Sequence, residues 1–330
     1  MKVTEHLERA ERPFISFEII PPLRGASLPK LLALIDDLME YEPPFIDITS
    51  HPAEVHYEET PEGIEMKIKR KRPGTLGVCA LLQNKYQVDA VPHVLCHGFT
   101  RQETEDFLIE LNYLGIDNVL AVQGDDSGYK KPLMAGRTAN VYAVDLVRQI
   151  ANMNRGVYLE DLLDAHPTGF SIGVGGYPEK HFEAPNLETD ILHTRAKVDA
   201  GADYVVTQMF FSNRHFFDYE RRCREAGIEV PIIPGLKILT HKRQLRSIPR
   251  TFHCEIPPEL ADEVTASPKA NVTDIGVEWA VRQVQELVEG GAPSIHFYVM
   301  QSAGAIKRLM TRLTDLGLLD GNRLRPLART

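Results

Sequence analysis

Glu18 stands between Phe17 and Ile19 in the run FISFEII, and successive side chains of a strand point to opposite faces. A carboxyl in such a run either faces a covered interior or must be paired with a cation. Burial favours its protonated form, the state that a general acid needs near neutral pH. An internal ion pair with Lys237 or another cation is the competing reading. Asp125 closes the segment Gln123-Gly124-Asp125 after the apolar run DNVLAV, as a second site carboxylate or as a turn residue. His93 follows Pro92 in DAVPHVLC, and alone it is an ordinary packed histidine. Gln208 falls inside the apolar run ADYVVTQMFF, where an unbonded amide costs about 1–3 kcal/mol. Asp190, Thr194 and Lys197 recur at i, i+4 and i+7, which gives a helix a polar stripe opposite Leu187, Ile191 and Val198.

These residues need elements to hold them, and the chain repeats one theme. Short apolar runs at Phe14–Ile20, Phe45–Ser50, Asp89–Cys96, Asp117–Gly124, Phe170–Pro178, Ala202–Phe211, Pro231–Lys237 and Ser294–Met300 read as strands. Helical patterns separate them. Ser27 is placed to cap the first, Thr100 and Glu103 form a capping-box pair, and further helices are expected near Leu76–Tyr86, Tyr142–Met153, Arg214–Ala226 and Ala303–Leu316. Strand followed by helix eight times predicts an α/β fold, a (β/α)8 TIM barrel. It is expected as a single domain over residues 1–330, with 1–12 and 320–330 as peripheral tails and a polar insertion at 154–168. The strand ends on its catalytic face are then Glu18, Thr49, His93, Gln123, Gly124, Asp125, Tyr177, Gln208, Lys237 and Tyr298. An open doubly wound sheet would need a Gly-rich dinucleotide turn. Gly173, Gly175 and Gly176 precede Tyr177-Pro178 rather than opening a helix, so that fingerprint is rejected.

Composition narrows the partners. With 330 residues, a net charge of −9 and 43% hydrophobic residues, the chain reads as a globular protein that binds no nucleic acid. No apolar run suffices for a membrane span or a signal core, so a cytoplasmic location is expected. Cys79, Cys96, Cys223 and Cys254 are too scattered for a disulfide framework or a thiolate metal site, and no metal is expected. The basic run Lys67–Arg72 (KIKRKR) reads as a solvated helix end.

Several segments, in order, carry a resemblance. They are FEIIPP with Glu18, PHVLC with His93, QGD at 123–125, GGYPEKHFEA at 175–184, KVDAGADYVVTQMFF at 197–211, IIPGL at 232–236 and HFY at 296–298. Over Phe14–Leu316 the chain resembles the methylenetetrahydrofolate reductase family, in its bacterial type made of the catalytic barrel alone. The resemblance implies FAD lying across the strand ends, NADH or NADPH as electron donor, and 5,10-methylenetetrahydrofolate as the substrate reduced in alternation with the donor. It implies that Glu18 is the acid that opens the folate imidazolidine ring, and that Asp125 is a carboxylate near both flavin and folate. Thr49, His93, Gln123, Gly124, Asp125, Ala143, Tyr177, His181, Asp190 and Lys197 correspond to cofactor-binding positions, and Gln208, Gln244 and Asp125 to substrate-binding ones. A homo-oligomer is expected. Departures from the family pattern are Gln123 in place of an arginine, His193 in place of an asparagine, Ala196 in place of a basic residue, Ser302 where some members carry an arginine, and an atypical Lys237. The alternatives are another FAD barrel, such as a proline-dehydrogenase-like oxidase, and a folate-binding barrel without catalysis.

Overall fold

The computed structural model describes residues 1–124 and 131–325. Its centre is a sheet of parallel strands: β1 (Phe14–Ile19), β2 (Phe45–Ile48), β5 (Asp89–Leu95), β6 (Asn118–Val122), β7 (Ser171–Gly176), β8 (Tyr204–Thr207), β9 (Ile232–Ile233), β10 (Gly235–Leu236) and β11 (Ser294–Met300). β3 (Glu54–Thr60) and β4 (Gly63–Lys69) form a separate two-stranded sheet. The hydrogen-bonded path runs β10-β11-β1-β2-β5-β6-β7-β8-β9. Its two ends, β9 and β10, are separated in the chain by Pro234 alone. Proline has no N–H for a ladder, so the single strand expected over Pro231–Lys237 is broken into two. One half pairs with β8 and the other with β11. Gly235 makes the crossing possible. Its N–H donates to Thr207 Oγ1 at 3.0 Å, and a Cβ at this position would lie 2.2 Å from the Thr207 carbonyl oxygen.

Period-two alternation divides the strands' side chains between two faces. Phe14, Phe45, Val91, Leu120, Tyr204, Val206 and Ile233 cluster on one. Ile15, Phe17, Ile46, Ile48, Val94 and Val119 belong to a much larger cluster with the helices on the other. Those helices follow the strands: α2 (Leu28–Met39), α3 (Thr75–Leu81), α4 (Arg101–Tyr113), α5 (Ala143–Met153), α6 (Leu187–Asp199) and α7 (Asn213–Glu225). Thr100 caps α4 with the expected Glu103 box, whereas Ser27 makes no side-chain cap bond. Among the described residues no helix is long and apolar enough to cross a membrane.

Three expectations need correction. The basic run Lys67–Arg72 is not a helix end. Lys67 and Lys69 lie in β4, where alternating Ile64, Met66 and Ile68 favour a strand. The N-terminal residues are not a peripheral tail either. They form α1 (Val3–Arg9), and the fully buried Val3 joins the Phe14–Phe45 cluster while its N–H donates to Asn118 Oδ1 at 2.8 Å. At the other end Arg323 pairs with Phe14, and Asn322 accepts the Ile15 N–H at 2.8 Å. The charged terminal composition hid these few anchoring contacts. The 154–168 insertion contains turns and bends without helix or strand.

Candidate active site

The register sets Glu18 beside Asp47 of β2 and Tyr298 of β11, near the C-terminal ends of all three strands. Its side chain is buried, and desolvation pushes its carboxyl up to about 7. His93 and Lys237 oppose that rise and Asp47 adds to it. His93 Nε2 lies 3.4 Å from Glu18 Oε2 and 3.8 Å from Asp47 Oδ2. Burial lowers the His93 pKa, with Glu18 pulling the other way, so near neutral pH the pair is an acid beside a neutral imidazole. Among the described residues Glu18 forms no ion pair with Lys237, and its one cationic candidate within 4 Å is the His93 ring, which burial favours as neutral. Lys237 instead donates to the Tyr298 carbonyl at 2.9 Å, and burial depresses its ammonium to about 8.

Asp47 is a site residue that sequence reasoning missed. It is 1% exposed, and neither carboxyl oxygen has a hydrogen-bond partner, so burial holds its pKa well above the usual carboxylate range. The signal was present. Asp47 stands between Ile46 and Ile48, just as Glu18 stands between Phe17 and Ile19. Further into the sheet, Ser16 Oγ and His296 Nδ1 are 2.9 Å apart.

Three clefts meet along these strand ends. The first, of about 510 Å³, brings together Glu18, His93, Gln123, Gly124, Tyr177, His181 and Gln208. The second, of about 620 Å³, shares Gln123, Tyr177 and His181 with it and adds Ala143, Asp190 and Lys197. The third, of about 510 Å³, holds Lys237 and Gln244 and touches the first at Tyr298 and Met300. Thr49 lies outside the lining of all three. Its N–H donates to Ile19, and its carbonyl accepts from Thr75. Asp125 falls outside the described residues.

The polar stripe of α6 is the side the protein buries. Asp190, Thr194 and Lys197 are covered, and only Ile191 of the three apolar positions is fully so. Asp190 Oδ2 accepts the His181 N–H at 2.9 Å. Lys197 Nζ donates to the Gly175 carbonyl at 2.5 Å, and burial lowers its pKa to about 8. Gln208 is not within a strand. β8 stops at Thr207, and the Gln208 side-chain carbonyl accepts the Met209 N–H at 2.9 Å, so the amide cost expected for a strand interior does not arise. Gln244 Oε1 is committed to the backbone N–H groups of Thr240 and His241, which leaves its amide nitrogen toward the third cleft as donor. Phe182 and His253 stack on the rim at a centroid distance of 4.8 Å, a pair not apparent from their separation in sequence.

The donor set suits a phosphate-bearing dinucleotide. Lys197 supplies a buried cation, Asp190 an acceptor for hydroxyls, and Ala143 the N-terminus of an eleven-residue helix on the same cleft. A parallel α/β sheet with titratable groups and ligand-sized clefts gathered over its strand ends defines a protein of the α/β class with a ligand site at that end of the sheet.

Within that class, the chain belongs to the methylenetetrahydrofolate reductase family, whose model matches residues 2–314. It is 29% identical over 329 residues to a probable methylenetetrahydrofolate reductase (NADPH) of Caenorhabditis elegans, covering 98% of this chain and 45% of that protein. It is 28% identical over 292 residues to the 5,10-methylenetetrahydrofolate reductase of Salmonella typhimurium, covering 88% of this chain and 86% of the relative. Against the eukaryotic relatives from C. elegans and Schizosaccharomyces pombe, the chain spans about half of their length, 45% and 50%. A Clostridium thermocellum protein described as binding two copies of 5-methyl-5,6,7,8-tetrahydrofolic acid shares the fold, with a TM-score of 0.52 at 14% identity over 90% of this chain and 92% of that one.

Proposed function

We propose that this chain is a flavin-dependent 5,10-methylenetetrahydrofolate reductase, a single-domain (β/α)8 barrel that takes its electrons from NADH or NADPH. The support for barrel closure is the short passage from β9 to β10, which lets one interrupted strand pair with both β8 and β11. The observation that carries the functional reading is Glu18, a buried carboxyl facing the first cleft with its pKa raised to about 7. Near neutrality a substantial fraction keeps its proton. It then donates that proton to the folate N10, opening the five-membered ring to the iminium that accepts hydride. The neutral His93 at 3.4 Å receives the resulting carboxylate without adding a competing acid.

FAD, when bound, supplies the hydride acceptor and donor. Lys197, Asp190 and the start of α5 at Ala143 would hold its phosphates and hydroxyls, with His181, Tyr177, Gln123 and Gly124 along the adjoining wall and His93 at the first cleft. Thr49 and Asp125 are carried over from the family pattern. Asp125 is proposed to bind the pterin, with Gln208 and Gln244 presenting amides to the substrate from two sides. Donor and folate use the first cleft in turn, so initial-rate plots should be parallel lines.

The test is direct. Purified protein should show a flavin absorption band that NADH or NADPH bleaches, and 5,10-methylenetetrahydrofolate should restore it. Colourless protein that cannot be loaded with FAD would overturn the proposal. So would a reduced band that the folate leaves unchanged.

A further inference from the structure

The hairpin β3–β4 is an arm with nothing over one of its faces. Cross-strand pairs Val55–Ile68 and Tyr57–Met66 lie on one side with Glu59–Ile64, and His56–Lys67 and Glu58–Glu65 on the other. The first side is apolar and open: Tyr57 is 72% exposed, Ile64 73%, Met66 58% and Ile68 50%. The second is laced by ion pairs, Lys67 to Glu58 at 2.7 Å and to Glu65 at 3.2 Å. No residue of either strand is buried. An isolated two-stranded hairpin is marginal in water, and contiguous exposed apolar surface of this kind marks an interaction site.

We propose that the arm is a self-association surface, packing face to face on the same arm of a second copy in antiparallel orientation. Charge order selects that occupant. From residue 54 to 72 all five acids (Glu54, Glu58, Glu59, Glu62, Glu65) precede all five bases (Lys67, Lys69, Arg70, Lys71, Arg72). In the hairpin register Glu58, Glu59, Glu62 and Glu65 surround the tip, whereas Lys69, Arg70, Lys71 and Arg72 gather at the base with Glu54 as the one acid among them. Among the described residues, Glu59 and Glu62 near the tip form no ion pair, nor do Arg70 and Arg72 at the base. A two-fold axis through the middle of the face sets Tyr57 and Met66 against their own copies. It lays each acidic tip along the other's basic base, a self-complementary arrangement of the kind that closed dimers need.

The arm also reaches the site. Arg70 Nε donates to the His51 carbonyl at 3.1 Å, and Arg72 donates to the Pro21 carbonyl at 2.7 Å, so its base ties together the loops that follow β1 and β2. Association would hold those loops, and Glu18 and Thr49 beside them, in one arrangement. This inference is independent of the reaction catalysed.

The experiment is sedimentation of the full chain at micromolar concentration, with Tyr57→Glu/Met66→Glu and Glu59→Lys/Glu62→Lys as variants. Wild type should sediment as a dimer or a multiple of one. The apolar variant should fall to a smaller species with unchanged far-ultraviolet circular dichroism, and the charge variant should weaken association at least tenfold at low salt. Met66→Cys supplies a second readout. The native cysteines at 79, 96, 223 and 254 are all buried, so mild oxidation should give a disulfide-linked dimer through residue 66. Monomeric wild type would overturn the proposal, as would an assembly that both variants leave intact with Met66→Cys failing to cross-link.

Discussion

Replacing Glu18 by glutamine should make the protein more stable at alkaline pH while removing its folate chemistry. The folded-state pKa of about 7 compares with an ordinary value of 4.5. A difference of about 2.5 at about 1.36 kcal/mol each corresponds to roughly 3 kcal/mol. Because the folded state binds the proton more tightly, the sign is unfavourable to folding as pH rises. Below pH 4.5 both states are protonated and there is no cost. Between 4.5 and 7 the unfolded chain loses its proton first, so wild-type stability falls. Above 7 the full cost is present. Glutamine does not titrate, so Glu18→Gln should gain up to about 3 kcal/mol over wild type at pH 8 relative to its difference at pH 4.5. Urea unfolding at both pH values, followed by the fluorescence of the single tryptophan, Trp279, measures this directly. A pH-independent difference between the two proteins, or one that favours wild type as pH rises, would refute the assignment of a dry, protonated carboxyl.

Other substitutions probe the rest of the site. Lys197→Met removes a charge-assisted bond to the Gly175 carbonyl and the buried cation of the second cleft, so FAD affinity should fall by roughly 10- to 100-fold in a titration of apoprotein. Unchanged affinity would place the cofactor elsewhere. Asp125→Asn should slow folate reoxidation of the flavin far more than it weakens flavin binding, as read by stopped-flow absorbance. Gly235→Ala puts a Cβ 2.2 Å from the Thr207 carbonyl oxygen, and thermal melting should show a loss of about 1–3 kcal/mol or failure to fold. A variant as stable as wild type would mean that β8, β10 and β11 need not converge there.

The strands and most helices were legible because their signals are local. Short apolar runs such as Phe14–Ile19 and the Thr100–Glu103 box specify their own conformation. What failed was decided by contacts distant in sequence. α1 reads as a charged tail until Val3 is set among Phe14, Phe45 and Tyr204. β4 reads as a basic helix end because its alternating Ile64, Met66 and Ile68 were outweighed by the KIKRKR composition. Glu18 was found from one conflict between charge and apolar setting, yet the same conflict at Asp47 was passed over. Only the register showed that the two stand side by side. The α6 stripe was visible in its spacing, but which side faces inward depends on the cleft and not on hydropathy.

The central claim is that Glu18 gives a proton to the folate and takes no part in receiving electrons from the donor. Stopped-flow measurement of the two half-reactions in Glu18→Gln separates these roles. Flavin reduction by NADH or NADPH should proceed at close to the wild-type rate, while reoxidation by 5,10-methylenetetrahydrofolate should fall by about 10²- to 10⁴-fold, the usual worth of a general acid. Equal loss of both half-reactions, or undiminished folate reduction, would contradict it.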